Sequence, residues 1–90
     1  MMLKTIYKYE LPVKDDFVLQ LPEGAEILHI GTQYNRPNLW ALVDPNAPKK
    51  PIKFIGAGTG HPLPADCTLK YLGTAIMLDD RFVFHVFKEE

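Results

Sequence analysis

The sequence predicts an all-β fold, a compact antiparallel sandwich or partly open barrel of about seven short strands. Two observations carry that prediction. No segment sustains the 3.6-residue apolar period of an amphipathic helix. Apolar and β-branched residues instead come in short runs, several of them alternating, cut by Pro, Gly, Asn and Asp.

The first expected strand is Leu3–Tyr9, with Leu3, Thr5, Tyr7 and Tyr9 on one face and Lys4, Ile6 and Lys8 on the other. Phe17–Leu21 is the second, its odd positions facing the core. Pro22-Glu23-Gly24 follows as a tight turn, with Pro presetting φ and Gly free to take φ > 0. Ala25–Tyr34 is a longer strand in which Gly31 marks a bulge or a close approach of another backbone. Asn35-Arg36-Pro37-Asn38 reads as the next hairpin turn. Leu39–Val43 is apolar at every position, which suits a central strand covered on both faces. Asp44–Pro51 reads as a loop stiffened by proline. Ile52–Ile55 is a short strand leading into a glycine-rich stretch, and Thr68–Met77 is the next, with Gly73 as a second candidate bulge. Leu78-Asp79-Asp80 is a turn. Arg81–Phe87 closes the chain, with Phe82, Phe84 and Val86 on one apolar face.

With 90 residues the chain makes one β domain, residues 1–90, near the small end of what folds without staples. Ten basic against 11 acidic residues give a formal charge of -1, which argues against binding long nucleic acid. A small anion held by local groups remains compatible with that balance. The single cysteine, Cys67, excludes an internal disulfide framework and a cysteine-rich zinc site, and fits a reducing, intracellular setting. Met1–Lys4 leads straight into an alternating segment, so no leader is expected, and no run approaches the ~18 apolar residues of a membrane helix. A core this small makes oligomerisation plausible.

The stretch Gly56–Pro64 holds three of the six glycines and two of the eight prolines. A dinucleotide fingerprint needs strand, glycine turn and helix, but His61 stands where Gly or Ala is required, and Pro62 and Pro64 forbid a regular helix. The phosphate loop ending in Gly-Lys-Ser/Thr is absent as well. What survives is a loop with the Thr59 hydroxyl, backbone N–H groups at Gly58 and Gly60, and the His61 ring as donors for an anion. The plainer reading is a wide turn whose glycines serve backbone geometry.

The remaining chemistry-bearing residues have plain readings too. His29, His61 and His85 show no metal-ligand spacing, and His29 and His85 read as half-buried packing residues. Cys67 would need the loop to fold back before it could pair with His61, so a small buried hydrophobe at a strand start is the simpler role. Asp15-Asp16 and Asp79-Asp80 sit where turns are expected. Neither a metal nor a cofactor is expected, and a hydrolase using His61 with an Asp ranks last. Trp40 is a core residue or a platform for a base, and Tyr9, Arg36 and Lys53 are candidate stacking and phosphate contacts or ordinary surface residues.

Five blocks resemble a widespread group of small phage proteins of mostly unknown function: Lys4–Val13, Leu21–His29, Leu39–Pro45, Gly58-Thr59-Gly60-His61-Pro62 and Phe82–Phe87. They span almost the whole chain in the same order. That group is similar to viral anti-CBASS sponge proteins, which bind the cyclic nucleotide messenger of bacterial immunity without cleaving it, in pockets between subunits. The resemblance implies a homo-oligomer without catalytic residues, acting in the cytoplasm of the infected host on a cyclic di- or trinucleotide. For such a ligand the residues read above would serve as the site: Gly58, Thr59, Gly60 and the His61 ring donating to phosphate, Arg36 and Lys53 offsetting charge, and Trp40 or Tyr9 stacking on a base. The alternative is a small phage structural or host-interaction protein acting through protein contacts with no small ligand.

Overall fold

The computed structural model describes residues 3–90, so the expectation for Met1 and Met2 lies outside the described residues. Among the described residues there are seven strands and no helix: β1 (Thr5–Glu10), β2 (Asp16–Pro22), β3 (Glu26–Gln33), β4 (Arg36–Val43), β5 (Lys49–Gly58), β6 (Leu69–Met77) and β7 (Phe82–Glu89). They form two antiparallel sheets, β1-β4-β3 and β2-β5-β7-β6. The all-β prediction holds, and the packed sheets do not close into a barrel.

Alternation on each strand decides what the sheets bury. Phe17 and Leu21 on β2, Phe54 on β5, Phe84 and Val86 on β7, and Ala75 and Met77 on β6 all point inward. Ile30 on β3 and Leu39, Ala41 and Val43 on β4 meet them from the other sheet. The Phe17 and Phe54 rings stack at a centroid distance of 5.3 Å, so opposite positions on β2 and β5 pack as one unit.

The sheets meet along β3 and β6, which run the same way without a ladder between them. The Thr32 hydroxyl donates to the Ile76 carbonyl at 2.8 Å, and the Leu78 N–H donates to Asn35 Oδ1 at 2.7 Å. Between these bonds and the core, Gly73 lies so close to Ile30 that a Cβ there would stand 2.7 Å from the Ile30 Cβ. The bulge between Tyr71 and Gly73 brings this residue to the seam, as expected for Gly73.

Several boundaries differ from the sequence reading, each for a local reason. The β3–β4 turn is Tyr34-Asn35, with φ of 53° and 60°, rather than Asn35–Asn38. Two consecutive positive φ values match a two-residue hairpin of the primed type. Pro37 and Asn38 therefore belong to β4, and the buried Asn38 amide donates to the Arg36 carbonyl at 3.0 Å. The loop expected to reach Pro51 ends at Pro48, because Lys49, Lys50 and Pro51 pair with Pro22, Leu21 and Gln20 of β2, while β7 pairs only Phe54–Gly58 of β5. At Pro51 β5 has β2 as its one neighbour, and an edge tolerates proline. Gly56, Ala57 and Gly58 are strand, opposite Val86, His85 and Phe84. The β3 bulge sits at Leu28, and Gly31 instead makes room for side chains, the rings of His29 and Trp40. β4 is central in its sheet but covered on one face, which leaves Trp40 and Leu42 half-buried on the outside.

Two substitutions test the seam by urea denaturation. Gly73→Ala forces a Cβ against Ile30 and should cost about 1–3 kcal/mol. Asn35→Gly keeps the positive φ but loses the acceptor for Leu78, at a cost of about 1 kcal/mol. Wild-type stability in both variants would mean that β3 and β6 are not the joint.

Candidate functional site

The outer face of the four-stranded sheet is the more polar one, and parity explains why. Since Phe82, Phe84 and Val86 point inward, His85 and Phe87 point outward, beside Ala57 and Ile55 on β5 and Thr74 and Tyr71 on β6. His85 is bonded through both ring nitrogens: Nε2 to the Thr59 hydroxyl at 2.8 Å and Nδ1 to the Thr74 hydroxyl at 2.9 Å. Thr74 is bonded in turn to the Tyr71 hydroxyl. Four side chains thus form one chain, Tyr71–Thr74–His85–Thr59. Each hydroxyl can donate or accept, so the chain can be polarised toward either end. When the proton sits on Nε2, His85 donates to Thr59, and the Thr59 O–H is free to donate outward.

Thr59 opens the turn that follows β5. The His61 N–H donates to the Gly58 carbonyl at 3.1 Å, and Gly60, with φ of 86°, takes the third position, where a type II turn requires a left-handed residue. Gly58 is a glycine for a different reason: a Cβ there would stand 3.1 Å from the His61 ring. Gly56 admits the Phe84 ring and the Lys14 carbonyl, both within 2.7 Å of an added Cβ. Much of the glycine content therefore has a geometric cause. The turn also borders an open cleft of about 200 Å³, lined by Gly58–His61, Leu63, His85 and Phe87 among others.

His61 also borders a second cleft, of about 260 Å³, that contains Asp15 and Asp16. No hydrogen bond joins His61 to either carboxylate among the described residues. The two acidic groups make that side of His61 unfavourable for an anion, and the His85 side the favourable one.

The other candidates lie elsewhere in the chain. Lys53 is on the outer face of β5 and pairs with Glu89 at 3.4 Å. Arg36 opens β4 and is exposed in an ion pair with Glu10 at 2.7 Å, which is worth little to stability in water. Trp40 sits on the outer face of the three-stranded sheet, its ring 5.8 Å from that of an exposed His29, so neither residue is core. Tyr9 is half-buried on the inner face of β1. Arg36, Tyr9 and Trp40 do not line the clefts around the glycine turn, so within one chain they do not converge on it.

Sequence reasoning missed the partnership of His85 with Thr59, Thr74 and Tyr71. The signal was present in the alternation of the last strand, which sends position 85 outward once Phe84 and Val86 are placed inside. Cys67 is half-buried just before β6, and desolvation, followed by Glu89 and Asp66, pushes its thiol up, so the thiolate needed for nucleophilic attack is disfavoured. No group of three His, Cys, Asp or Glu placed to hold a metal occurs among the described residues.

Burial, and then the neighbouring Tyr7, push the Tyr9 phenol above its ordinary range. The folded chain thus holds this proton where the unfolded chain has lost it, so stability falls as pH rises through about 10. Tyr9→Phe should remove that part of the alkaline loss, read as a shallower fall of denaturation midpoint above pH ~10. An unchanged slope would contradict it.

No curated protein and no solved structure matches this chain. One family model does, over residues 2–90, described as a domain of unknown function, DUF7352. With nearly its whole length matched, the chain belongs to the DUF7352 family.

Proposed function

We propose that this protein binds and sequesters a cyclic di- or trinucleotide without cleaving it, and so withholds the messenger from bacterial anti-phage signalling in the host cytoplasm. The observation that carries this reading is the Thr59 hydroxyl, backed by His85 and set in the turn that borders a cleft. A phosphate oxygen at Thr59 accepts its O–H and selects the His85 tautomer protonated on Nε2. The polarised chain back to Tyr71 then strengthens the donor. Gly58, Gly60 and His61 frame the same cleft, and Phe87 and Leu63 give it apolar walls. The resemblance of the five sequence blocks to a group of small phage proteins, a group itself similar to sponge proteins, supports the ligand class.

Size supports a site shared between subunits. About 200 Å³ is below the ~300–1,000 Å³ of small-molecule pockets, so a cyclic dinucleotide needs a second wall. The chain exposes 6040 Å², against about 5,300 Å² for a compact monomer of its mass. β1 and β2 are free edges, and on β1 both faces carry exposed apolar groups, Ile6 at 57% and Tyr7 at 43%. In such an oligomer, Arg36, Tyr9 or Trp40 of another subunit would reach the ligand.

The second reading, protein contact without a small ligand, is favoured by one observation. The outer face of the three-stranded sheet gathers exposed Ile6 and Leu28 with half-buried Trp40 and Leu42.

Release after heat denaturation separates the two readings. The protein is incubated with a panel of cyclic di- and trinucleotides, washed and denatured. Sequestration predicts intact ligand returned in stoichiometric amount, and about tenfold or weaker retention by Thr59→Val and by His61→Ala. Altered ligand would indicate an enzyme. No retention and no thermal shift with any nucleotide would leave the protein-contact reading.

A further inference from the structure

We propose a second, separate anion site at the open end of the space between the sheets, built around Lys70 and Lys88 and suited to a phosphate monoester with an apolar body. It does not depend on the reading of the glycine turn. Lys70 on β6 and Lys88 on β7 are directly opposite in the antiparallel ladder, on the same face. Cβ atoms in such a pair stand about 4.5–5.5 Å apart, and like charges there are destabilising. The ion pairs among the described residues are Arg36–Glu10 and Lys53–Glu89, so neither lysine is neutralised by a carboxylate. Lys88 is half-buried as well, which raises the cost of leaving its charge unmatched.

Both lysines border a cleft of about 400 Å³. Ile27, Ile52 and Leu72 form its apolar floor, and these side chains pack against the core, so the floor is fixed. Glu26 is the one carboxylate in the cleft lining, while the Tyr71 hydroxyl is turned to the outer face and bonded to Thr74. Two cations against one anion leave a net positive rim over an apolar base. An oxyanion between the two ammonium groups relieves their repulsion and accepts hydrogen bonds from both. A hydrocarbon or aromatic group on the same molecule covers Ile27 and Ile52, which a bare ion leaves exposed to water. The chemistry is therefore that of a phosphate head with an apolar tail.

The test uses 4-nitrophenyl phosphate with the full chain, followed by calorimetry and by amide shifts in NMR. Inorganic phosphate serves as the head alone and 4-nitrophenol as the body alone. The site predicts shifts centred on Lys70–Leu72 and Lys88, and binding about tenfold tighter than for either fragment. Lys70→Gln and Lys88→Gln each weaken binding about tenfold or more, while Lys88→Arg retains it. Glu26→Gln tightens binding by removing the one opposing charge. At low salt, Lys70→Gln and Lys88→Gln are at least as stable as wild type, because the paired lysines repel. The proposal is overturned by unchanged affinity in both Gln variants, by shifts centred on Gly58–His61 instead, or by no binding at all. Lower stability with unchanged binding would equally make the pair structural. Lys70 is exposed, so its variant folds and decides the matter if Lys88→Gln does not.

Discussion

The close approach of β3 and β6 is the constraint on which the rest of this structure depends. Each sheet has one apolar face, and neither face is dry until the other covers it. The joint is made by Gly73 against Ile30 and by two side-chain to backbone hydrogen bonds, Thr32 to Ile76 and Leu78 to Asn35. Few groups are involved, but they act at one line. They fix which way the two faces meet and place Phe54, Leu39, Val86 and Val43 in one core. The bulge at Tyr71–Gly73 also sets the phase of β6 on both sides, so the joint inside and the hydroxyls outside are coupled.

That coupling links fold to chemistry. With Gly73 and Ala75 turned inward, Thr74 is turned outward opposite His85, and Tyr71 lies beyond it. The glycine turn adds Thr59 from the other side. An imidazole held at both nitrogens has a defined orientation, and either tautomer can be accommodated by the two hydroxyls. The outline is flat, 46 × 33 × 15 Å. A flat body exposes more of its apolar residues than a sphere does.

The fold was legible where periodicity decides it. The two-residue alternation in Phe17–Leu21 and in Phe82–Val86 placed the core residues of β2 and β7 correctly, and Leu78–Asp80 formed the expected turn with three positive φ values. It was less legible where proline and glycine carry two meanings. Pro37 and Pro51 read as loop residues because proline cannot donate to a ladder, yet both sit in strands. Gly56 and Gly58 read as loop because glycine is flexible, yet they are strand residues under the Phe84 and His61 rings. The glycine turn itself, at Gly58–His61, was visible in the sequence. Its backing by His85 was not, because it joins residues 26 positions apart, and neither was the lysine pair across the last two strands.

The central claim is that the outer face of β5–β7, at the glycine turn, is where a cyclic nucleotide is held. Amide and histidine-ring NMR of the labelled protein, titrated with a cyclic dinucleotide that it retains, tests this most directly. The account predicts shifts concentrated at Gly58–His61 and at His85, with the His85 ring moving to the tautomer protonated on Nε2. Shifts confined to Trp40 and its neighbours, with His85 unmoved, would contradict it.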